Sequence, residues 1–308
     1  MAKSGINRRK FLGGAVATAT AACRAPAAEG AALAGPPLPD QPIAIFSKHL
    51  QWLDYGAAAK AAEEAGFDAL DIPVRPGGHV LPERVEEDLP RAVEAAREAD
   101  LQVTMITTAI THPEDPFAET VLKTAAGLGI GHYRMGYVKY EGGVRPTLDR
   151  LVPRWHELAA LNKSLGIHGG YQNHSGRNLG AAIWDLLRVL EQVDSPWLGC
   201  QYDIRHNVAE GGYSWIRDLE VMAPFIDTLV FKDFDWERSD EAWRIRNRPL
   251  GEGMVPLGAF VEELRRLRVT APISMHFEYP HPETQRRSWA IEAYGRDLKV
   301  LRAALTAG

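Results

Sequence analysis

Short apolar runs and amphipathic stretches alternate along this chain with little sequence between them. Residues 43–47, 69–74, 102–107 and 132–135 have the length and apolar content of buried strands, and 167–171, 198–202, 228–231 and 273–277 repeat the pattern. Helical periodicity fills the intervals at 55–65, 83–99, 117–128, 148–165, 179–193, 217–222, 257–267 and 289–304. Gly66 and Gly166 follow two of these stretches directly, where a left-handed residue ends a helix. Each strand is thus followed by a helix. Parallel strands need such crossovers, and closing the sheet removes its exposed edges, so the pattern predicts an α/β fold, a single (β/α)8 barrel. An open doubly wound sheet is the rival. It needs a glycine-rich phosphate turn after its first strand, and Ser47-Lys48-His49-Leu50-Gln51-Trp52 stands there instead. The two longest unpatterned connections, 75–82 and 233–256, both follow strands, on the face where barrels build their sites.

The N-terminal residues follow a different pattern. Arg8-Arg9-Lys10-Phe11-Leu12 precedes a weakly apolar stretch at 13–22, which has the form of a twin-arginine export signal. Residues 1–30 are read as that signal, 31–42 as a Pro/Ala/Gly linker and 43–308 as the barrel domain. The apolar stretch is too short for a permanent anchor, so no membrane span is expected after signal removal, and a periplasmic or otherwise exported location is expected. Beyond Cys23 only Cys200 remains, so no disulfide is available and core burial must stabilise the fold. The net charge is −5, with acids and bases mixed along the helices, which leaves no electrostatic footprint for nucleic acid or anionic lipid.

Candidate chemistry collects at the ends of the later strands. Four apolar runs finish in Tyr171-Gln172-Asn173-His174, Asp203-Ile204-Arg205-His206, Lys232-Asp233 and His276-Phe277-Glu278. Buried strands that all end in carboxylate, imidazole or ammonium predict one shared site at one end of the sheet. Other chemistries lack their motifs: there is no Gly-Xaa-Ser-Xaa-Gly elbow, no P-loop and no Cys-Xaa-Xaa-Cys pair. His174-Ser175 with Asp203 suggests a nucleophilic triad, but a serine beside Gly176 at a strand exit is more simply a turn cap.

From about Pro42 onward the chain resembles the sugar phosphate isomerase/epimerase group, the xylose-isomerase-like barrels. The resemblance rests on Asp203-Xaa-Xaa-His206, Lys232-Asp233, Pro249-Leu250-Gly251-Glu252-Gly253 and Glu278. It implies a divalent ion (Mn, Mg, Co or Zn) held by residues at the ends of strands five to eight. Asp203 and Glu278 match two of those positions. The strand-five position falls on Gln172, which brings no charge, and the strand-seven position falls on Val230, which cannot ligate. Two carboxylates facing one another still need a positive partner. A metal bound by Gln172, Asp203, Glu278 and His206 is one solution; the Lys232 ammonium, two residues beyond Val230 and on the same side of its strand, is the other.

The same residues imply proton abstraction beside a carbonyl of a sugar or keto-sugar. Glu278 is the expected base, Lys232 the oxyanion partner and His174 or His206 the acid, with Arg75, His79, Arg134, Asn173 and His276 as substrate contacts. Gln172 is no base, which disfavours two-base epimerisation and leaves aldose–ketose isomerisation or elimination. An exported protein meets free or oxidised sugars and glycosides, so a small carbohydrate is the expected partner; self-association into a homo-oligomer is left open. The alternative from another class is a non-catalytic carbohydrate-binding barrel that has lost the family metal site.

Overall fold

The computed structural model describes residues 38–280 and 287–307, so the twin-arginine pattern, Cys23 and most of the linker lie outside the described residues. Eight parallel strands close into a barrel: β1 (Ile43–Phe46), β2 (Ala69–Pro73), β3 (Gln102–Thr107), β4 (His132–Arg134), β5 (His168–Gln172), β6 (Leu198–Asp203), β7 (Ile226–Phe231) and β10 (Ile273–Met275). Closure is made by β1 against β10, with Ile43 opposite Ile273 and Ile45 opposite Met275. An antiparallel hairpin, β8 (Asp233–Arg238) and β9 (Trp243–Arg248), stands outside the barrel sheet between β7 and β10.

The expected single barrel is therefore the fold. Helices α1 (Tyr55–Ala65), α2 (Val85–Glu98), α3 (Ala118–Gly127), α4 (Val144–Leu165) and α5 (Ile183–Val193) follow the first five strands, and α7 (Trp215–Met222), α8 (Leu257–Arg266) and α9 (Arg287–Thr306) complete the ring. Asp54 caps α1 by accepting from the Ala57 N–H at 2.7 Å, and Gly66 ends it at φ 93°. Apolar faces such as Trp155 and Leu158 of α4, Leu186 and Leu190 of α5, and Phe260 and Leu264 of α8 are buried in the core. None of the helices among the described residues is long and apolar enough to cross a membrane.

Two elements differ from the sequence reading. A short helix, α6 (Ile204–Gly211), begins directly at the end of β6, because the Asp203 carboxylate accepts from the His206 N–H at 3.2 Å and caps it. The connection expected to be unpatterned at 233–256 contains the β8–β9 hairpin. Its strands alternate apolar and charged residues, Phe234 and Trp236 on one and Trp243 and Ile245 on the other, a short period-two signal that the reading of 233–256 as one long connection passed over; Arg248 to Asp235 at 2.6 Å and Arg246 to Glu237 at 3.3 Å cross-link them.

Three polar side chains lie buried together across the barrel strands. Asp71 of β2 accepts from Thr107 of β3 at 2.9 Å and from Ser274 of β10 at 2.8 Å, and burial pushes its carboxyl up to about 6. Nearer the mouth, Asp233 holds the loop that follows the hairpin. One carboxylate oxygen accepts from the Gly251 and Gly253 N–H groups at 2.9 and 3.0 Å, the other from Phe234 and Val255 at 2.8 and 3.0 Å. Residue 253 must be glycine here, because a Cβ would collide with the Asp233 carboxylate and the Phe234 carbonyl.

Asp233→Asn tests this staple. Whichever way the amide turns, its NH2 faces two N–H donors, so a stability loss of about 2–4 kcal/mol is expected in urea unfolding. The same change at Asp235 in the hairpin should cost well under half as much; equal losses would show that the staple does not hold the loop.

Candidate active site

The strand ends bring Gln172, Asp203, Lys232 and Glu278 to one mouth of the barrel, and Lys232 sits at the centre. Its Nζ lies 3.2 Å from Asp203 Oδ2, 3.5 Å from Glu278 Oε2 and 2.7 Å from His206 Nε2. The Asp203 side chain is fully buried and that of Lys232 nearly so, whereas the Glu278 side chain keeps 27% of its surface accessible. The neighbouring ammonium holds the Glu278 carboxyl far below the usual carboxylate range.

Each partner of this lysine is fixed in turn. Asp203 also accepts from Gln172 Nε2 at 2.7 Å. The Asn173 amide uses both its ends on the Asp203 backbone, accepting from its N–H at 2.7 Å and donating to its carbonyl at 3.1 Å. His206 places Nδ1 2.8 Å from Ser175 Oγ. Arg205 Nη1 also lies 2.8 Å from Nδ1, so both ring nitrogens of His206 face a cationic donor. Burial first, and then Lys232, holds His206 well below its ordinary value, so it is neutral at neutral pH. His174 is also lowered by burial and by Lys232; its ring lies 3.9 Å from that of His206, centroid to centroid, and its Nδ1 lies 2.8 Å from the Ser175 carbonyl.

A second group of side chains occupies the β1–β4 side. Arg134 donates to the Gln172 carbonyl oxygen at 3.1 Å and to the Tyr137 hydroxyl at 2.5 Å, and that hydroxyl donates to the same Gln172 oxygen at 2.7 Å. Arg75 lies 5.5 Å from the centre of the Phe46 ring, and the His276 ring lies 4.6 Å from the same ring at 30°. His276 is buried, and burial and Lys232 keep it well below its ordinary value. His49 accepts from the Phe277 N–H at 3.0 Å and sets the course of the chain into Glu278.

These positions bear differently on the expectations from sequence. Gln172, His174, Asp203, His206, Lys232 and Glu278 are brought together, with Arg134 bound to Gln172 and Arg75 and His276 beside Phe46. His79 is placed elsewhere: its Nε2 lies 3.0 Å from the Leu53 carbonyl and its own carbonyl accepts from Tyr55, so it staples the entry to α1. Asn173 is placed as a brace for Asp203, with both ends of its amide occupied. Neither His174 nor His206 is held as an imidazolium, which leaves Lys232 as the proton-bearing cation.

The four-ligand metal site implied by the resemblance is not formed by these residues. Val230 pairs in register with Asp203 and presents only hydrocarbon where a ligand is needed. The Gln172 carbonyl oxygen is taken by Arg134 and Tyr137, and its NH2, not its oxygen, faces Asp203. The Lys232 ammonium itself stands between Asp203, Glu278 and His206. Among the described residues no group of three or more His, Cys, Asp or Glu side chains could hold a metal ion.

Sequence reasoning passed over several residues of the mouth. Asp71 stands out as a carboxylate inside an apolar strand, a signal that was available. Arg205 lies within the Asp203-Xaa-Xaa-His206 motif and donates to Ser175 at 3.1 Å and to Asn247. Asn247 sits on the hairpin and donates to the Glu278 carbonyl at 3.2 Å, a contact between residues distant in sequence.

Comparison with known proteins bears on this arrangement. A probable 3-DHS dehydratase, AsbF, from Bacillus anthracis superposes with a TM-score of 0.65 at 17% identity, covering 84% of this chain and 98% of its own. The 3-keto-D-glucoside 4-epimerase YcjR from E. coli gives 0.65 at 12% identity, covering 85% and 99%. A xylose isomerase-like TIM barrel protein from Mycobacterium smegmatis, in complex with magnesium, gives 0.66 at 15% identity, covering 88% and 100%. These likenesses concern the fold. A comparison with curated proteins finds no match to the sequence. The family model of the xylose isomerase-like TIM barrel matches residues 59–304, and the chain belongs to that family.

Proposed function

We propose that this protein is a sugar-modifying enzyme that removes a proton from the carbon beside a carbonyl of a sugar or keto-sugar, and that it uses the Lys232 ammonium where its relatives' fold would place a metal. The observation that carries the reading is the contact of Lys232 Nζ with both carboxylates, at 3.2 and 3.5 Å, next to a strand position where valine replaces a ligand. Relatives of the same fold include a sugar epimerase and a dehydratase by name, which supports a carbohydrate-type substrate.

The residues divide the work by accessibility. Glu278 is ionised and reaches the mouth, so it takes the proton from carbon. The enediolate oxygen that develops draws the ammonium toward itself, and Glu278, losing its ion pair, becomes a stronger base as the charge forms. Asp203 stays buried behind Lys232 and holds it. A second carboxylate on the opposite face is lacking, because Gln172 fills that place, so the proposed outcome is isomerisation, or elimination of a substituent on the neighbouring carbon, rather than two-base epimerisation. Export is part of the same proposal, and the twin-arginine pattern at Arg8-Arg9 supports it.

Two variants test the reading. Glu278→Gln should slow deuterium uptake from D2O at the carbon beside the carbonyl by on the order of a thousandfold while substrate affinity changes only a few-fold; a binding barrel would show no such exchange in the wild type. Lys232→Met leaves the buried Asp203 and the partly buried Glu278 without their shared cation and should cost on the order of 3–5 kcal/mol in urea unfolding at pH 8. In the wild type Glu278 contributes stability above its unfolded pKa, and that contribution is lost as pH falls. In the variant its partly buried carboxyl, without the ammonium, favours the protonated form more, so the gap should narrow at pH 5. A gap independent of pH would contradict the electrostatic role of Lys232.

A further inference from the structure

The β1–β4 side of the mouth contains donors that its own carboxylates do not satisfy. The Arg75 guanidinium, half-buried, lies against the Phe46 ring at 5.5 Å and has no hydrogen-bond or ion-pair partner among the described residues. The neighbouring Arg134 is 3% exposed; its Nη1 is used on Tyr137 and Gln172, but its buried Nε has no partner. His276, 4% exposed and on the same Phe46 ring, also has a buried Nε2 with no partner. Unsatisfied buried polar atoms cost about 1–3 kcal/mol each, so Arg134 Nε and His276 Nε2, with the partnerless Arg75 guanidinium beside His276 on the Phe46 ring, mark a place shaped for an acceptor.

The charges of the mouth indicate which acceptor. Arg75, Arg134, Arg205 and Lys232 are four cations, against three carboxylates, Asp71, Asp203 and Glu278, while His174, His206 and His276 are held neutral. Of the further acids, Glu210 is exposed and accepts from the Gly176 N–H, and the Asp233 carboxylate is taken up by four backbone N–H groups of its own loop. One positive charge is left over. A carboxylate supplies one negative charge and two coplanar oxygens matched to a guanidinium, whereas a phosphate monoester carries about two at neutral pH.

We propose that Arg75, Arg134 and His276 form a carboxylate subsite, and that the substrate is a sugar acid bound with its carboxylate in this corner and its carbonyl toward Lys232. The inference rests on the reading of the mouth as a sugar site and deepens it by naming the substrate class. Arg75 and Arg134 donate to the two carboxylate oxygens, and Phe46 keeps water from the fork they make. A neutral sugar leaves these donors unsatisfied, so the corner selects against it.

Calorimetric titration of the full-length protein tests this with D-glucuronate, D-galacturonate and D-gluconate against D-glucose and D-galactose, and with glucose 6-phosphate as the other anion. At least one acid should bind about tenfold or more tighter than the neutral sugars, the ratio that one charge-assisted hydrogen bond supplies, and the phosphate ester should gain less. Arg75→Gln should remove that preference without weakening neutral sugars, and Arg75→Lys, which keeps the charge but not the fork, should retain part of it. Thermal unfolding of both variants within a few degrees of the wild type confirms that they fold. Equal affinity for acids and neutral sugars, tightest binding of the phosphate ester, binding of no acid, or a preference that survives Arg75→Gln would overturn the subsite. Failure of the proton-transfer reading is separate: it appears as unchanged exchange in Glu278→Gln, with the acid preference intact.

Discussion

A single ammonium group inside the barrel mouth sets the terms for everything around it. Lys232 faces Asp203, Glu278 and the neutral Nε2 of His206 in a place where water is largely excluded. At an effective dielectric near 20, each carboxylate at this distance attracts the ammonium by about 4–5 kcal/mol. Taking three charges out of water costs several kcal/mol per ion, so the cluster gives little net stability, but no member can be removed cheaply. That attraction keeps Glu278 ionised, while burial first, and then repulsion from Lys232, keeps His174, His206 and His276 neutral.

The fold delivers this cluster through geometry that is almost entirely local. Residues two apart on β7 and its extension point to one side, which places Lys232 above Val230 and beside Asp203. Asp203 ends a strand and begins a helix at once, so the capping contact that starts α6 also fixes the direction of the carboxylate. The β8–β9 hairpin, held by Asp233 at its base, sends Asn247 to bridge Arg205 and the Glu278 carbonyl. Stability and function meet in adjacent residues: Lys232 faces inward to the chemistry and Asp233 faces outward to the loop.

Much of this was legible in the sequence because barrel strands are short, apolar and punctuated by glycine. The eight-strand order, and the meeting of Gln172, Asp203, Lys232 and Glu278 at one end, followed from alternation and from polar strand tips. What stayed hidden has specific reasons. The hairpin alternates apolar residues, Phe234 and Trp236 then Trp243 and Ile245, with charged ones, but over so short a span that it read as part of one long loop. Helix α6 has eight residues and a weak apolar face, so its start was legible only as the Asp203-Xaa-Xaa-His206 motif. His79 looked like a site residue because it lies in a strand-exit loop, but a hydrogen bond to Leu53, distant in sequence, decides its place. Lysine as the central cation was one of two readings of the same residues, and only the direction of the Gln172 amide and the register of Val230 separate them.

The central claim is that a lysine, not a divalent ion, balances Asp203 and Glu278. Elemental analysis of the protein purified without chelator and equilibrated with Mn, Mg, Co and Zn tests it most directly. The account predicts that dialysis leaves far less than one ion per chain and that full activity remains. One tightly held ion per chain, with activity lost on its removal, would contradict it.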